Sequence, residues 1–389
     1  MFDIAMTRGR WIVEERSLTG AAPHRKGGST HVHIVRTWIL VASLVGLWGV
    51  VLFGVAALKI LVMSVLCAVI ADMGMQIVTR RPGTGRLPRA VLTGLLFGLT
   101  LPATAPLHVA IVGSLIAIII GQGVFGGFLH SALVGRVVVQ AFFVNSLSLS
   151  GALVTSPILA PGYLLVGNLD HAEPVADYQG WLTPQPSTTA EGYKIERPVQ
   201  TLRRFTQDRV PPDDGNFYEP LVRDELPPWK DTIFGLVPGG IGETCTLMLI
   251  IAGVFLIHRG YLRWQLPVTV LASAALAASI MPVNLGADYH WFPVLEVEQG
   301  RAVGLAYVFF HLTAGQLMLG AFLLAGDVVA SPMRAHGQLV FGAGIGVLTI
   351  FMRLYGTLEG ECYWAILIMN ALVGTINRRM KRPVLGLAG

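Results

Sequence analysis

The stretch Gly235–His258 has the sequence GLVPGGIGETCTLMLIIAGVFLIH and decides how the rest of the chain is interpreted. It opens with a proline among glycines, continues with Glu243, and becomes continuously apolar only afterwards. This order predicts a membrane helix with an irregular first turn, whose backbone can approach a ligand or another helix closely. An ionisable residue at such a place is costly unless it faces protein, water or an ion. Glu243 is therefore either a helix-end carboxylate favoured by the helix dipole or, with Gly240, Gly242 and Thr244, a wall of a cofactor or ion path.

The composition places most of the chain in a membrane. Of the 389 residues, 53% are hydrophobic and 13% are charged, and the mean hydropathy is +0.62. A soluble domain carries about 25% charged residues, so most of this surface is expected to face a lipid bilayer. The predicted fold class is an all-α polytopic membrane protein. The net charge of +5 does not point to nucleic acid, because the basic residues cluster at membrane boundaries.

The sequence lacks the motifs of several enzyme classes. Its three cysteines are far apart and form no CxxC or Cys/His spacing, so no metal site is predicted. It contains no Ser/His/Asp set and no P-loop, and the GxGxxG match at Gly121–Gly126 follows an apolar helical run and no predicted strand, so it is not a dinucleotide-binding unit. Hydrolase, ATPase and NAD-binding functions therefore have little support, and no catalytic side chain is assigned.

Ten apolar runs predict about ten transmembrane helices. They are Trp38–Ala56, Leu58–Val78, Ala90–Leu101, His108–Phe125, Ser131–Leu149, Ile241–His258, Leu266–Ile280, Val303–Leu324, Leu339–Leu354 and Cys362–Ile376. A helix needs about 20 residues to cross a bilayer, and the third run is shorter and meets Pro102 and Pro106. We therefore expect a helix that is broken at these prolines.

The charges of the loops predict the orientation of these helices. With the N-terminus inside, the inner loops and tails hold most of the arginines, and the outer loops hold Asp288, Glu296 and Glu298. Both termini are thus expected on the cytoplasmic side. The segment 151–232 is expected outside and includes a weak amphipathic piece near Val199–Phe205. The predicted divisions are a basic tail 1–36, a first half 37–150, an external segment 151–232, a second half 233–377 and a basic tail 378–389.

A four-residue repeat indicates that the first and second halves of the chain are related. Ala132–Gly135 in the fifth predicted helix and Ala371–Gly374 in the tenth both read ALVG. The fifth helix would run outward and the tenth inward. This predicts two inverted five-helix halves with broken helices, an arrangement that places binding sites near the middle of the membrane.

An ordered set of motifs resembles one family, namely the D subunit of Rnf-type electron transport complexes and the B subunit of sodium-pumping NADH:quinone oxidoreductase. The motifs lie at Thr93–Pro102, Gly126–Arg136, Val237–Thr244, Asp327–Pro332, Gly337–Thr349 and Met369–Val373, and the resemblance covers roughly 59–379. It implies electron transfer coupled to cation movement in the bacterial inner membrane. It also implies partner subunits that deliver electrons, and it leaves open a quinone as a further partner.

The same resemblance implies a flavin, either FMN or riboflavin. Members with covalent flavin carry a Ser/Thr-Gly-Ala-Thr motif, whose last threonine is esterified by the flavin phosphate. The corresponding hydroxyls here are Thr188 and Thr189, in a Pro-Ser-Thr-Thr-Ala stretch that lacks the Gly-Ala pair. We therefore expect no covalent flavin on this chain and a non-covalent site if flavin binds. Glycine-rich broken helices would admit the ring, and helix N-termini favour its phosphate.

Five other polar residues lie within or beside the predicted helices. Asp72 either pairs with an arginine at the inner face or belongs to a cation path. Arg136 and Arg353 either snorkel to an interface or bind a flavin phosphate or a quinone. His311 on an apolar face is most simply a bonded core histidine. Asp327 either caps a turn or marks the cation path together with Asp72 and Glu243.

Two functions remain from the sequence. The first is a membrane subunit of a redox-driven, cation-translocating complex, and the ordered motifs carry it. The second is a non-redox transporter, channel or assembly scaffold on the same fold, which the lack of an obvious cofactor ligand favours. Bound flavin in the purified protein would support the first, and solute movement by a colourless protein would support the second.

Overall fold

The chain forms a bundle of helices, which we describe from a computed structural model. The described residues are 31–79, 86–143, 147, 197–200, 202–203, 226–227, 229–284, 289–291, 293, 301–327, 330–332, 334–357 and 359–379, with short strands at 3–7, 10–14, 152–154, 173–174 and 192–194. Thr188 and Thr189 lie outside these residues, so the flavin attachment prediction stays a prediction.

Eleven helices can be followed along the described residues. They are α1 His31–Thr79, α2 Arg86–Leu99, α3 Leu107–Ile116, α4 Ser131–Phe142, α5 Trp229–Phe234, α6 Thr246–His258, α7 Gln265–Ile280, α8 Arg301–Thr313, α9 Leu317–Leu319, α10 Ala335–Tyr355 and α11 Glu361–Arg379. Two of them continue as π-helical turns, α3 through Ala117–Val124 and α9 through Gly320–Leu324. Such turns often accompany functional sites.

The strands are short and lie between or before the helices. β1 Asp3–Thr7 pairs antiparallel with β2 Arg10–Glu14. β3 Ala152–Val154, β4 Glu173–Pro174 and β5 Gly192–Lys194 form a sheet in the order β3–β5–β4. β6 Val283–Asn284 pairs antiparallel with β7 Tyr289–His290.

The helices make this a multi-pass membrane protein. Three described helices are long and apolar enough to span a membrane, namely Val32–Thr79, Leu107–Val124 and Ala335–Tyr355. A bent pair, Gly304–Thr313 with Leu317–Leu324, can supply a fourth span. The other apolar helices are shorter than a bilayer requires. Every predicted apolar run has a helical counterpart, but the number of complete crossings and the inverted relation of the halves stay predictions.

Several helix boundaries differ from the predicted ones. The first two predicted helices form α1, which is interrupted at Gly54, where φ is 70°. The sixth begins at Thr246 and not at Ile241, because the glycine-rich residues before it pair with another segment. The eighth was expected to be continuous, whereas it bends by 57° between α8 and α9. Gly315, with φ +72°, lies in this bend and adopts a conformation that disfavours other residues.

Small residues allow the helices to approach each other closely. α1 packs on α2, α7 on α10 and α10 on α11. A Cβ at Gly346 of α10 would overlap Ser273 Oγ and the carbonyl of Val270 on α7. A Cβ at Gly253 of α6 would overlap the ring of Phe322. Close approach through glycines is typical of helix pairs in membranes, where packing contacts and not water exclusion drive association.

Candidate functional site

The site is built where two non-helical segments meet inside the bundle. α2 ends at Leu99, and the residues before α3 form a loop. Ile241 N, from the loop before α6, donates to Leu101 O at 2.9 Å. Gly242 N donates to Leu99 O at 2.8 Å. Each segment thus satisfies backbone groups of the other, which a non-helical segment inside a membrane requires.

The glycines of the second loop are explained by this contact. A Cβ at Gly242 would lie 2.8 Å from Leu99 Cβ. A Cβ at Gly240 would lie 2.6 Å from Glu243 Cδ. Both positions therefore exclude larger residues because protein atoms already fill the space. Contact between these glycines and a flavin ring stays a prediction.

Glu243 lies in the loop and not on a helix. It is buried, and the helix that follows has Cys245 as its N-cap. Gly240 N donates to Glu243 Oε2 at 3.0 Å, and the Tyr363 hydroxyl of α11 donates to Oε1. Thr244, the next residue, is also buried, and its hydroxyl has no hydrogen-bond partner among the described residues. The loop therefore presents a bonded carboxylate and a spare hydroxyl in the interior.

Arg136 of α4 lies beside the same tyrosine. Its guanidinium carbon is 5.7 Å from the centre of the Tyr363 ring. Nε donates to Thr100 O at 3.2 Å, and Nη1 donates to Gln140 Oε1. Arg136 is buried and held inside the bundle, so it does not snorkel to an interface. Its charge lies at the C-terminal end of α2, where helix carbonyls favour a cation.

Arg353 of α10 binds the bend between α8 and α9 as Arg136 binds the break between α2 and α3. Nη1 donates to His311 O at 2.7 Å, and Nη2 donates to Ala314 O at 3.1 Å. Arg353 is also buried. In both breaks, a buried arginine from a later helix donates to the carbonyls that end the preceding helix. His311 is buried beside Arg353, with the ring of Tyr307 4.5 Å from its own.

A chain of polar side chains continues from Arg136 to Glu359, in the turn between α10 and α11. Gln140 Nε2 donates to Glu359 Oε2 at 3.5 Å. Gln200 Nε2 donates to Glu359 Oε1, and Arg197 Nη1 lies 3.8 Å from Oε2. The Glu359 side chain is 16% exposed. We call Glu243, Tyr363 and Arg136 the Glu243 cluster. Polar side chains therefore lead from this buried cluster to the partly exposed carboxylate of Glu359.

The amphipathic piece predicted near Val199 docks on the same turn. Arg203 Nη2 forms an ion pair with Glu361 Oε1 at 2.7 Å and donates to Met352 O at 3.1 Å. Leu202 is buried, and Val199 Cγ2 would lie 3.4 Å from a Cβ at Gly315. Sequence reasoning identified the apolar face but missed both ion-pairing arginines, Arg197 and Arg203. The signal was an arginine on either side of Val199–Leu202 and two glutamates, Glu359 and Glu361, two positions apart at the start of α11.

The other two predicted cation-path residues, Asp72 and Asp327, have hydrogen-bond partners among the described residues that differ from those of Glu243. Asp72 is buried on α1 and accepts from Gln76 Nε2 at 2.7 Å, and not from an arginine among the described residues. Asp327 lies in the turn after α9, where its carbonyl accepts from Ser331 N at 3.0 Å. It also lines a small cavity with Trp38 and His130. The described residues hold no group of three metal-ligating side chains.

A large apolar cavity among the described residues lies away from Glu243. A small-molecule pocket measures about 300 Å³ or more. Tyr363 contacts both Glu243 and Arg136, and the cavity at Asp327 measures about 70 Å³. A cavity of about 730 Å³ lies between α5 and α8, and its lining is almost entirely apolar. None of the described residues that were predicted to bind flavin lines this large cavity.

Comparison with known proteins decides the family. The NQR2, RnfD, RnfE family matches residues 18–386. The chain belongs to the NQR2, RnfD, RnfE family. This confirms the resemblance carried by the motifs.

Several relatives match almost end to end. The D subunit of an ion-translocating oxidoreductase complex from Stutzerimonas stutzeri is 32% identical over 85% of each chain. The D subunit of a proton-translocating ferredoxin:NAD(+) oxidoreductase complex from Clostridium ljungdahlii is 27% identical over 92% of each chain. The D subunit of a Na(+)-translocating ferredoxin:NAD(+) oxidoreductase complex from Acetobacterium woodii is 27% identical over 86% of this chain and 84% of its own. These family members thus differ in the ion named for their complexes.

Proposed function

We propose that the chain is an integral membrane subunit of a redox-driven, cation-translocating electron transport complex of the bacterial inner membrane. The observation that carries the proposal is the buried Glu243 cluster, at the junction of two non-helical segments, in a member of the NQR2, RnfD, RnfE family. A buried carboxylate within a membrane is costly and is typical of ion pathways. The names of the relatives support the same assignment, because they describe subunits of ion-translocating oxidoreductase complexes.

The side chains of the Glu243 cluster stabilise charge inside the membrane, and they do not themselves transfer electrons. Electron transfer requires a cofactor, which supplies the redox chemistry when it is bound. Glu243 provides a negative charge in the interior, and Tyr363 and Gly240 hold its two oxygens in place. Arg136 offsets that charge and also binds the end of α2. A cation that reaches Glu243 would weaken these interactions, so ion occupancy and the packing of α2, α4 and α11 are coupled in this proposal.

FMN or riboflavin remains the proposed cofactor class of the complex, held without a covalent bond to this chain. Because protein atoms already lie close against Gly240 and Gly242, we place the flavin contact away from these glycines, at a junction with a partner subunit. Other subunits of the complex are the proposed partners. No relative named above mentions a quinone, and quinone binding is not part of the proposal.

Purification from the native membrane tests this proposal against the non-redox alternative. A tag on the chain should capture several further subunits and a yellow complex with flavin absorbance. A denaturing gel under ultraviolet light should show no fluorescent band at the mass of this chain. A colourless chain that purifies alone and moves a small solute in vesicles would contradict the proposal and support the transporter alternative.

A further inference from the structure

A small cavity, lined by apolar residues and six polar ones, lies on the side of the bundle that the loop charges predict to be cytoplasmic. It measures about 70 Å³ and is bounded by the first turns of α1 and α4, by Arg89–Leu96 of α2 and by the turn after α9. Its polar lining consists of Trp38, Arg89, Thr93, His130, Ser131 and Asp327. Thr93 Oγ1 accepts from Gln122 Nε2 at 2.9 Å, so this hydroxyl is already bonded.

Two other lining side chains are buried without hydrogen-bond partners among the described residues. Trp38 is 4% exposed and His130 is 3% exposed. Trp38 Nε1 and both ring nitrogens of His130 have no partner there. The backbone of His130 is bonded, since its carbonyl accepts from Leu133 N and Val134 N at 3.0 Å. The side chain is therefore not needed to start α4, and its two nitrogens remain to be explained.

Buried polar groups almost always have a partner, which is often an ordered water. A cavity of about 15 Å³ already admits one water when two to four polar groups line it. The cavity here is several times larger and polar enough to meet both conditions. We infer that it is a water-filled proton entry, in which His130 takes up protons from the predicted cytoplasmic face with Asp327 as the neighbouring carboxylate.

The lining fits a proton better than a metal cation. Hard cations take several oxygen ligands, whereas Trp38 and Arg89 present only hydrogen-bond donors to the cavity. Histidine exchanges protons near neutral pH and has one nitrogen to receive and another to release them. The charged groups that line the cavity besides His130 are Arg89 and Asp327. Burial of the ring lowers the pKa of His130 and the Asp327 carboxylate raises it, with burial the larger effect, so the added proton leaves again readily.

The step is a proton transfer and needs no co-reactant. A hydronium ion in the cavity gives its proton to one ring nitrogen of His130 and becomes water. The imidazolium then releases the proton from its other nitrogen to a second water, and His130 returns to its neutral form. Only N–H and O–H bonds change, and no electron moves. The inference rests on the proposed function, because it names the proton as the ion that enters.

Thiol labelling tests the water-filled entry without using ion transport. In the intact complex, with Cys67, Cys245 and Cys362 changed to serine, Ser131→Cys should react with a small water-soluble thiol reagent from the cytoplasmic face only. Ser114→Cys is the matched control, because Ser114 is fully buried on α3 and does not line the cavity. Labelling of both positions, of neither, or of Ser131→Cys from the opposite face would overturn the inference.

Ion uptake by the reconstituted complex tests the role of His130. His130→Gln should leave the complex assembled and slow proton movement roughly 100-fold, the contribution of a positioned proton-transfer group. His258→Gln, an exposed histidine at the end of α6, should have no effect. A complex that moves sodium and no protons, or a His130→Gln variant that matches the unmodified complex, would overturn the inference and leave the proposed function intact. A complex that moves neither ion would instead contradict the proposed function.

Discussion

At the scale of single residues, the site depends on contacts that are far apart in sequence. Gly240 and Glu243 are close in the chain, so their contact follows from the loop itself. Tyr363 is 120 residues from Glu243, and nothing in the sequence pairs them. Glu243 was recognised because a carboxylate beside an apolar run is unusual. Its donor was missed because a tyrosine in an apolar helix is an ordinary core residue.

The hydroxyl of Tyr363 should stabilise the fold through Glu243. Tyr363→Phe keeps the ring beside Arg136 but removes one of the two donors to a buried carboxylate. We expect a loss of about 1–3 kcal/mol, seen as a lower melting midpoint of the purified complex. Tyr355→Phe is the control, because this tyrosine is 37% exposed and its hydroxyl bonds to Pro282 O. Equal shifts in the melting midpoint for both variants would mean that the bond to Glu243 contributes no more to stability than the bond made by the exposed Tyr355.

At the scale of helices and loops, composition predicted the break after α2 but not the bend between α8 and α9. Prolines mark the first break, and they disfavour helix whatever the surroundings. The second contains Gly315, and a single glycine is common in membrane helices. There the bend depends on Arg353, which bonds the carbonyls of His311 and Ala314. A contact between distant elements decides the local structure, so the sequence of that helix alone could not reveal it.

Two glycines on neighbouring helices should respond differently to the same change. Gly346→Ala on α10 places a methyl group against Ser273 and Val270 of α7, so we expect a loss of about 1–3 kcal/mol from overpacking. Gly374→Ala on α11 meets no atom within 4 Å and should be neutral or slightly stabilising. Melting of the two purified variants checks this. A Gly346→Ala variant as stable as Gly374→Ala would show that α7 and α10 are not in close contact.

At the scale of the whole molecule, the apolar runs and the family were predictable, and the meeting of the halves was not. Hydrophobic length is a local property, and it located helices throughout the chain. The pairing of Leu101 with Ile241 and the docking of Arg203 on Glu361 join distant segments. Opposite charges in a sequence have many possible partners, so this docking needed the structure. The side of the membrane on which each terminus lies stays a prediction from loop charges.

The central claim is that Glu243 lies on the ion path of a redox-driven complex. The measurement that tests it is the number of ions moved per electron transferred by the intact complex in proteoliposomes. Glu243→Gln should assemble, keep transferring electrons and lose most ion movement. Asp231→Asn, which changes another buried carboxylate on α5, should keep the ratio of the unmodified complex. An unchanged ratio in an assembled Glu243→Gln complex would contradict the claim and leave Glu243 as a structural carboxylate.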